Sequence, residues 1–190
     1  MIVVYTDLHL YGAHKPVNVP LEFGDNIFYI GDIVDLKNCK KKDLKIAERL
    51  LKEITQKAGE NYVPGNHELT YGNKKFIVYK DILLTHGDYF CWKEKRVEKW
   101  RGGKKKPGKI SIIHLFFRFK NLFARPRGGK LSQKELSKIY NLANSPSYNC
   151  KTVIIGHKHP NKILEYDYKE KNGISIKVYV IPRGRNIIPI

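Results

Sequence analysis

Ile2-Val3-Val4-Tyr5-Thr6 runs directly into Asp7-Leu8-His9, and this junction decides how the chain is read. The first five residues are short, β-branched and apolar, the signature of a strand buried on both faces, so Asp7 and His9 arrive at its carboxyl end. The arrangement recurs four times. Residues 26–30 lead into Gly31-Asp32-Ile33-Val34-Asp35 and 61–63 into Gly65-Asn66-His67-Glu68. Residues 82–85 lead into His86-Gly87-Asp88, and 152–155 into Gly156-His157-Lys158-His159. Between the second and third of these strands, Ala47, Leu50, Leu51, Ile54 and Ala58 keep helical spacing over residues 41–59, and Gly59 is placed to end the helix. Strand, helix and strand in that order predict an α/β fold. Ser132 with Glu135 forms a capping box ahead of a second stripe, Leu136, Ile139, Tyr140 and Ala143. A further strand is expected at 76–79, and a closing hairpin at 163–168 and 174–181 around Lys171-Asn172-Gly173.

At 190 residues and 42% hydrophobic content, the chain is sized for one domain over 1–190 with room for an inserted element. Net charge is +18, a field that favours an anionic partner. Residues 93–130 hold fourteen Lys or Arg against Glu94 and Glu98, so twelve of those eighteen charges fall in 38 residues. That segment is basic at its edges and apolar within. Over 110–123 the polar residues Ser111, His114, Arg118 and Asn121 occupy one narrow helical stripe, with Lys120 outside it, and the segment is expected to be a small helical basic cap. No apolar run approaches the roughly 20 residues that cross a bilayer, and no leader precedes Thr6, so a cytoplasmic location is expected. Cys39, Cys91 and Cys150 are odd in number and widely spaced, as ordinary reduced thiols are.

The five motifs share one chemistry. Carboxylate, imidazole and amide oxygen suit divalent Mn, Fe or Zn, and two such ions side by side can hold both the attacking and the leaving oxygen of a phosphoryl transfer. Gly31 lets the chain turn sharply so that Asp32 projects above the sheet as an anion shared by two cations. Asp7, His9, Asn66, His86, His157 and His159 complete the candidate donor set. Five of the seven histidines lie in these motifs, leaving His14 and His114 as ordinary residues.

In order and content the motifs resemble the calcineurin-like metallophosphoesterase superfamily, from Asp7 to His159. The resemblance implies a four-layer α-β-β-α sandwich of two mixed β-sheets flanked by helices. It implies that Asp7, His9, Asp32 and His159 hold one ion while Asp32, Asn66, His86 and His157 hold the other. It further implies a metal-bridging hydroxide as the attacking group, His67 as proton donor to the leaving oxygen, and Asp35 orienting His67. Mn is the expected metal, with Fe or Zn sharing the same ligands. Protein phosphatases of the superfamily follow the second motif with Arg-Gly, whereas Asp35 precedes Leu36-Lys37, which argues against that class. The layout is similar to UDP-2,3-diacylglucosamine pyrophosphohydrolases, although these usually carry Arg in place of His67.

A phosphodiester or pyrophosphate in a lipid-linked or nucleotide-sugar substrate follows from that likeness. Phe116, Phe117, Phe119 and Phe123 suit acyl chains, while Lys104, Lys105, Lys106, Arg125 and Arg127 suit phosphates or an anionic membrane surface at the inner face. Arg183 and Arg185 are further candidates for a substrate phosphate, and Lys158 is expected to point away from its ligand neighbours. Two alternatives stand beside this reading. The basic segment also suits a nuclease whose phosphate contacts weaken with salt, and the same fold also serves as a non-catalytic scaffold.

Overall fold

The computed structural model describes residues 1–12, 16–68, 74–91, 129–170 and 173–190. Two mixed sheets carry the chain. Strands β1 (Ile2–Thr6), β2 (Ile27–Ile30) and β3 (Tyr62–Val63) pair in parallel, and β9 (Gly184–Ile188) adds to β1 antiparallel, giving the order β3-β2-β1-β9. The second sheet has the order β4-β5-β6-β8-β7, built from Ile77–Tyr79, Ile82–Thr85, Thr152–Ile155, Ser175–Val180 and Leu164–Lys169. Its central pairs β5–β6 and β6–β8 are parallel, and its outer pairs β4–β5 and β7–β8 are antiparallel.

Alternation along the strands assigns the cores. Ile2, Val4, Phe28, Ile30 and Val63 of the first sheet join Ile82, Leu84 and Ile154 of the second in one buried cluster. The opposite face of the first sheet presents Tyr5 and Tyr29 to helix α1 (Leu44–Ala58), which buries Ala47, Leu51 and Ile54. The opposite face of the second presents Leu83, Val153, Val178 and Val180 to helix α3 (Gln133–Ala143), which buries Leu136, Ile139, Tyr140 and Ala143. Burying such a side chain contributes about 1.5–3 kcal/mol each, so these stripes, rather than helix propensity, hold the helices in place. Ser132 and Glu135 form the expected capping box on α3, and Gly59 ends α1 with a φ of 53°. A single turn of helix, α2 (Asp88–Cys91), follows the fourth motif.

Two expectations change. The hairpin β7–β8 does not close the fold, because Gly184–Ile188 forms a ninth strand on the edge of the first sheet. The stretch looks polar, with Arg185 and Asn186 at its centre. Pairing with β1 nevertheless buries Asn186, whose side-chain amide donates to the carbonyls of Pro182, Gly184 and Val4. Helix α1 begins at Leu44 rather than near Lys41. The proposed cap over 93–130 falls almost wholly outside the described residues, as do Arg125, Arg127, His14 and His114. Among the described residues no helix is long and apolar enough to cross a membrane.

Candidate metal centre

Each motif lies at the carboxyl end of its strand, and those ends meet along one rim of the two sheets. This is where α/β folds place ligands. The loops after β1 and β2 extend their parallel pairing beyond the strands: Asp7, His9 and Leu10 donate backbone N–H groups to Gly31, Asp32 and Ile33, and Asp35 donates to Leu10. Asp7 and His9 are thereby locked in register with Asp32 and Asp35. The carboxylate of Glu68, buried beneath them, accepts from the backbone N–H groups of Asp32, Ile33, Val34 and Gly65 at 2.7–3.1 Å. Glu68 thus ties the second motif to the third, a role its place in the sequence did not reveal.

The close packing leaves no room for side chains at several glycines. A Cβ on Gly65 would overlap the backbone nitrogen and carboxylate of Asp32, and one on Gly156 would collide with Thr6 Oγ1 and come within 2.9 Å of Asp7 Oδ2. Backbone strain concentrates at the same rim. Asp7, His9, Asp32, His157 and His159 all adopt φ between 47° and 60°. Non-glycine residues in this left-handed region cost about 1–3 kcal/mol each and persist where the surroundings over-determine them, typically at functional sites.

Three groups of side chains bring donor atoms within 4.8 Å of one another: Asp7, His9 and His159; Asp32, His86 and His157; and His9, Asp32 and His67. In the second group His86 Nε2 lies 3.4 Å from Asp32 Oδ2, 3.1 Å from His157 Nδ1 and 3.2 Å from Asn66 Oδ1. The His86 Nδ1–H donates to the carbonyl of Ile30 at 3.2 Å, which leaves the Nε2 lone pair facing the cage when the ring is neutral. In the first group Asp7 Oδ2 accepts from Thr6 Oγ1 at 2.6 Å and from the His157 N–H at 2.8 Å. Its Oδ1 is left to face His159 Nε2 at 2.7 Å and His9 Nε2 at 3.9 Å. All seven candidate ligands therefore converge, with Asp32 shared between groups.

His67 and Asp35 stand beside them. Asp35 Oδ1 lies 2.7 Å from His67 Nδ1, while its Oδ2 lies 3.6 Å from His9 Nδ1, so one carboxylate orients the His67 ring and faces a second imidazole. Asn38, which sequence reading passed over, steadies it by donating its backbone N–H and side-chain amide to the carboxylate at 2.9–3.1 Å. An Asx-type turn three residues after Asp35 was the available signal. The His67 backbone N–H donates to Asp32 Oδ1 at 2.7 Å, and its Nε2 sits 3.9 Å from Asp32 Oδ2. Arg183 Nε donates to the Asp7 carbonyl at 2.9 Å, bringing a guanidinium to the rim. Arg185 instead pairs with Glu22 on the face of β9 and is removed from the site. Lys158 points away from the ligands, as expected, onto Glu135.

The electrostatics fit a cation. Asp7, Asp32 and Asp35 are each at most 1% exposed. Burial raises the pKa of all three carboxyls, but surrounding imidazoles outweigh it: His159 and His86 for Asp7, His86 and His67 for Asp32, His67 and His9 for Asp35. All three stay well below the usual carboxylate range. Burial disfavours the charged form of His86, yet Asp32 overrides it and pushes the ring up to about 10. Burial and the neighbouring His86 press His157 down to about 4. Buried carboxylates of this density need a positive partner, because an isolated buried charge is strongly unfavourable. Without metal an imidazolium supplies it, and a divalent ion held by the same O and N donors supplies it better. The residues present therefore fit one or more divalent cations. No protein-family model matches the chain, and no curated protein sequence is similar to it.

Proposed function

We propose that the chain is a dinuclear-metal-dependent phosphoesterase that hydrolyses a phosphodiester or pyrophosphate bond. The observation that carries this reading is that the candidate donors converge on one rim, with Asp32 in reach of His86 and His157 on one side and of His9 and His67 on the other. Asp7, His9, Asp32 and His159 would hold one ion and Asp32, Asn66, His86 and His157 the other, with Mn favoured and Fe or Zn served by the same donors. Such ions, when bound, supply Lewis-acid polarisation of a phosphoryl oxygen and lower the pKa of water. The three buried clusters, one between the sheets and one under each helix, support the four-layer architecture that the resemblance implies.

His67 provides the proton. Burial works against the charged ring, but Asp32 and Asp35 outweigh it and raise the pKa, which favours the imidazolium whose Nε2 proton passes to the departing oxygen. Asp35 fixes the ring by accepting from Nδ1. Arg183, tied to the Asp7 carbonyl, is assigned to a phosphate oxygen of the substrate. The net charge of +18 supports an anionic substrate. The concentration of basic and apolar residues in 93–130 favours a lipid-linked one, met at the cytoplasmic membrane face.

The test is hydrolysis of bis(p-nitrophenyl) phosphate, p-nitrophenyl phosphate and a nucleotide-sugar pyrophosphate by the Mn-loaded protein. Turnover of a diester or pyrophosphate that a chelator abolishes is the expected result. Manganese uptake without turnover of any of the three would mark a scaffold. Binding to anionic vesicles, set beside a salt titration on single-stranded DNA, separates lipid from nucleic acid as the partner of the basic segment.

A further inference from the structure

Two of the seven ligands sit on one four-residue loop, Gly156-His157-Lys158-His159. Its backbone is strained on both sides of the lysine, with φ of 60° at His157 and 47° at His159. A strained loop keeps its geometry only while neighbouring contacts impose it. Two such contacts come from the first sheet. Gly156 is pressed against Thr6 and Asp7, and the His157 N–H donates to Asp7 Oδ2 at 2.8 Å.

The third comes from helix α3 on the second sheet and joins two residues outside the candidate ligand set. Lys158 Nζ reaches Glu135 Oε1 at 2.6 Å, with side-chain exposures of 18% and 14%. Glu135 is already fixed, since its other oxygen accepts from the backbone N–H and the hydroxyl of Ser132 at 2.8 Å, closing the capping box of α3. Burial raises the Glu135 pKa, but Lys158 and Ser132 outweigh it and bring it to about 2, so the carboxylate is charged at working pH. Helix α3 is in turn seated on the second sheet by Leu136, Ile139 and Tyr140. The chain of contact runs from sheet core to helix cap to ligand loop.

Resting on the metal-centre reading above, we propose that the Lys158–Glu135 ion pair is a positioning device that sets the affinity of the centre for divalent cations. It would act in two ways. The pair clamps the loop so that His157 and His159 are held in their strained, ligand-ready conformation. It also draws an ammonium group, which a dication next door would otherwise repel, away from the cage and neutralises it. Groups that orient metal ligands without binding the metal typically change affinity by about 10–100-fold when removed.

Glu135→Gln is the informative variant, because Gln keeps the capping box and removes only the charge. Mn²⁺ binding is measured by isothermal titration calorimetry on the full chain, alongside thermal unfolding of the metal-free protein. We expect wild type to bind, Glu135→Gln and Lys158→Met each to bind about tenfold or more weakly, and Lys158→Arg to recover most of the loss. A Lys158→Met protein that binds as tightly as wild type, or more tightly, overturns the clamp. Unchanged affinity in Glu135→Gln overturns the whole inference while leaving the metal centre standing. Absence of Mn²⁺ binding by wild type overturns both. Should Lys158→Met fail to fold, Glu135→Gln with Lys158→Arg decides the matter.

Discussion

The two sheets contribute unequally to the rim where they meet. Loops of the first sheet bring both candidate ligand carboxylates, Asp7 and Asp32, together with His9, the orienting Asp35, the buried Glu68 and the amide of Asn66. Loops of the second bring three candidate ligands, His86, His157 and His159, all neutral imidazoles when holding a metal. The first half supplies all of the charge, with His9 and Asn66 beside it, and the second supplies imidazole lone pairs alone. Neither sheet alone can form a complete cage, so cation binding should report on the packing of the sheets against each other as much as on any one ligand. The exposed candidate ligand belongs to the second half: His159 is 41% exposed, whereas Asp7, His9 and Asp32 of the first are nearly inaccessible. The first sheet therefore fixes the anionic floor, and the second leaves the way in.

The contrast can be broken by substitution. Asp32→Asn removes the shared charge at little cost in shape and should strip both ions and lower turnover by about a thousandfold, several kcal/mol of transition-state stabilisation. His86→Ala should lose one ion only, so metal content per chain separates the halves. Loss of a single ion in Asp32→Asn would end the idea of a shared ligand. His67→Ala should keep both ions and slow turnover roughly a hundredfold or more. If metal content falls instead, His67 is a ligand, as its place with His9 and Asp32 in one donor group permits. Glu68→Ala leaves several buried N–H groups of the anionic floor without their acceptor. Unfolding of the metal-free protein should reveal a loss of about 3 kcal/mol or more, and a loss below about 1 kcal/mol would remove Glu68 from its tying role.

The mildest effect concerns pH. His67 is held above its ordinary 6.5 by Asp32 and Asp35. Its charged form therefore adds stability that is fully present below pH 6.5 and is lost as pH rises through the elevated folded-state value. Asp35→Asn should lower that value, moving the alkaline limb of the rate profile to lower pH and flattening the fall in metal-free stability above 6.5. An alkaline limb that stays in place would assign it to some other group.

Much of this was legible in the residues because the motifs combine a buried apolar strand with donors at its end, a pattern set by backbone period and solvation alone. The eight strands other than β9 and the two long helices follow from such runs. What escaped reading depends on partners distant in the chain. Gly184–Ile188 carries Arg185 and Asn186 and becomes a strand only because β1 offers it an edge. Glu68 and Asn38 owe their roles to carboxylate and amide contacts formed when loops stack, Glu68 with Asp32 to Val34 and Asn38 with Asp35 and His67, which no local period encodes. Arg183 and Arg185 are two apart in sequence, yet only the first reaches the rim, since Arg183 precedes β9 and bonds the Asp7 carbonyl whereas Arg185 lies on the strand and pairs with Glu22.

The antiparallel pairing of Ile2–Thr6 with Gly184–Ile188 has a consequence for biosynthesis. A growing polypeptide emerges amino end first, so the strand that leads to Asp7 must wait with one flank uncovered until Gly184–Ile188 has left the ribosome. A nascent chain stalled before Gly184 should expose an adhesive edge that chaperones recognise.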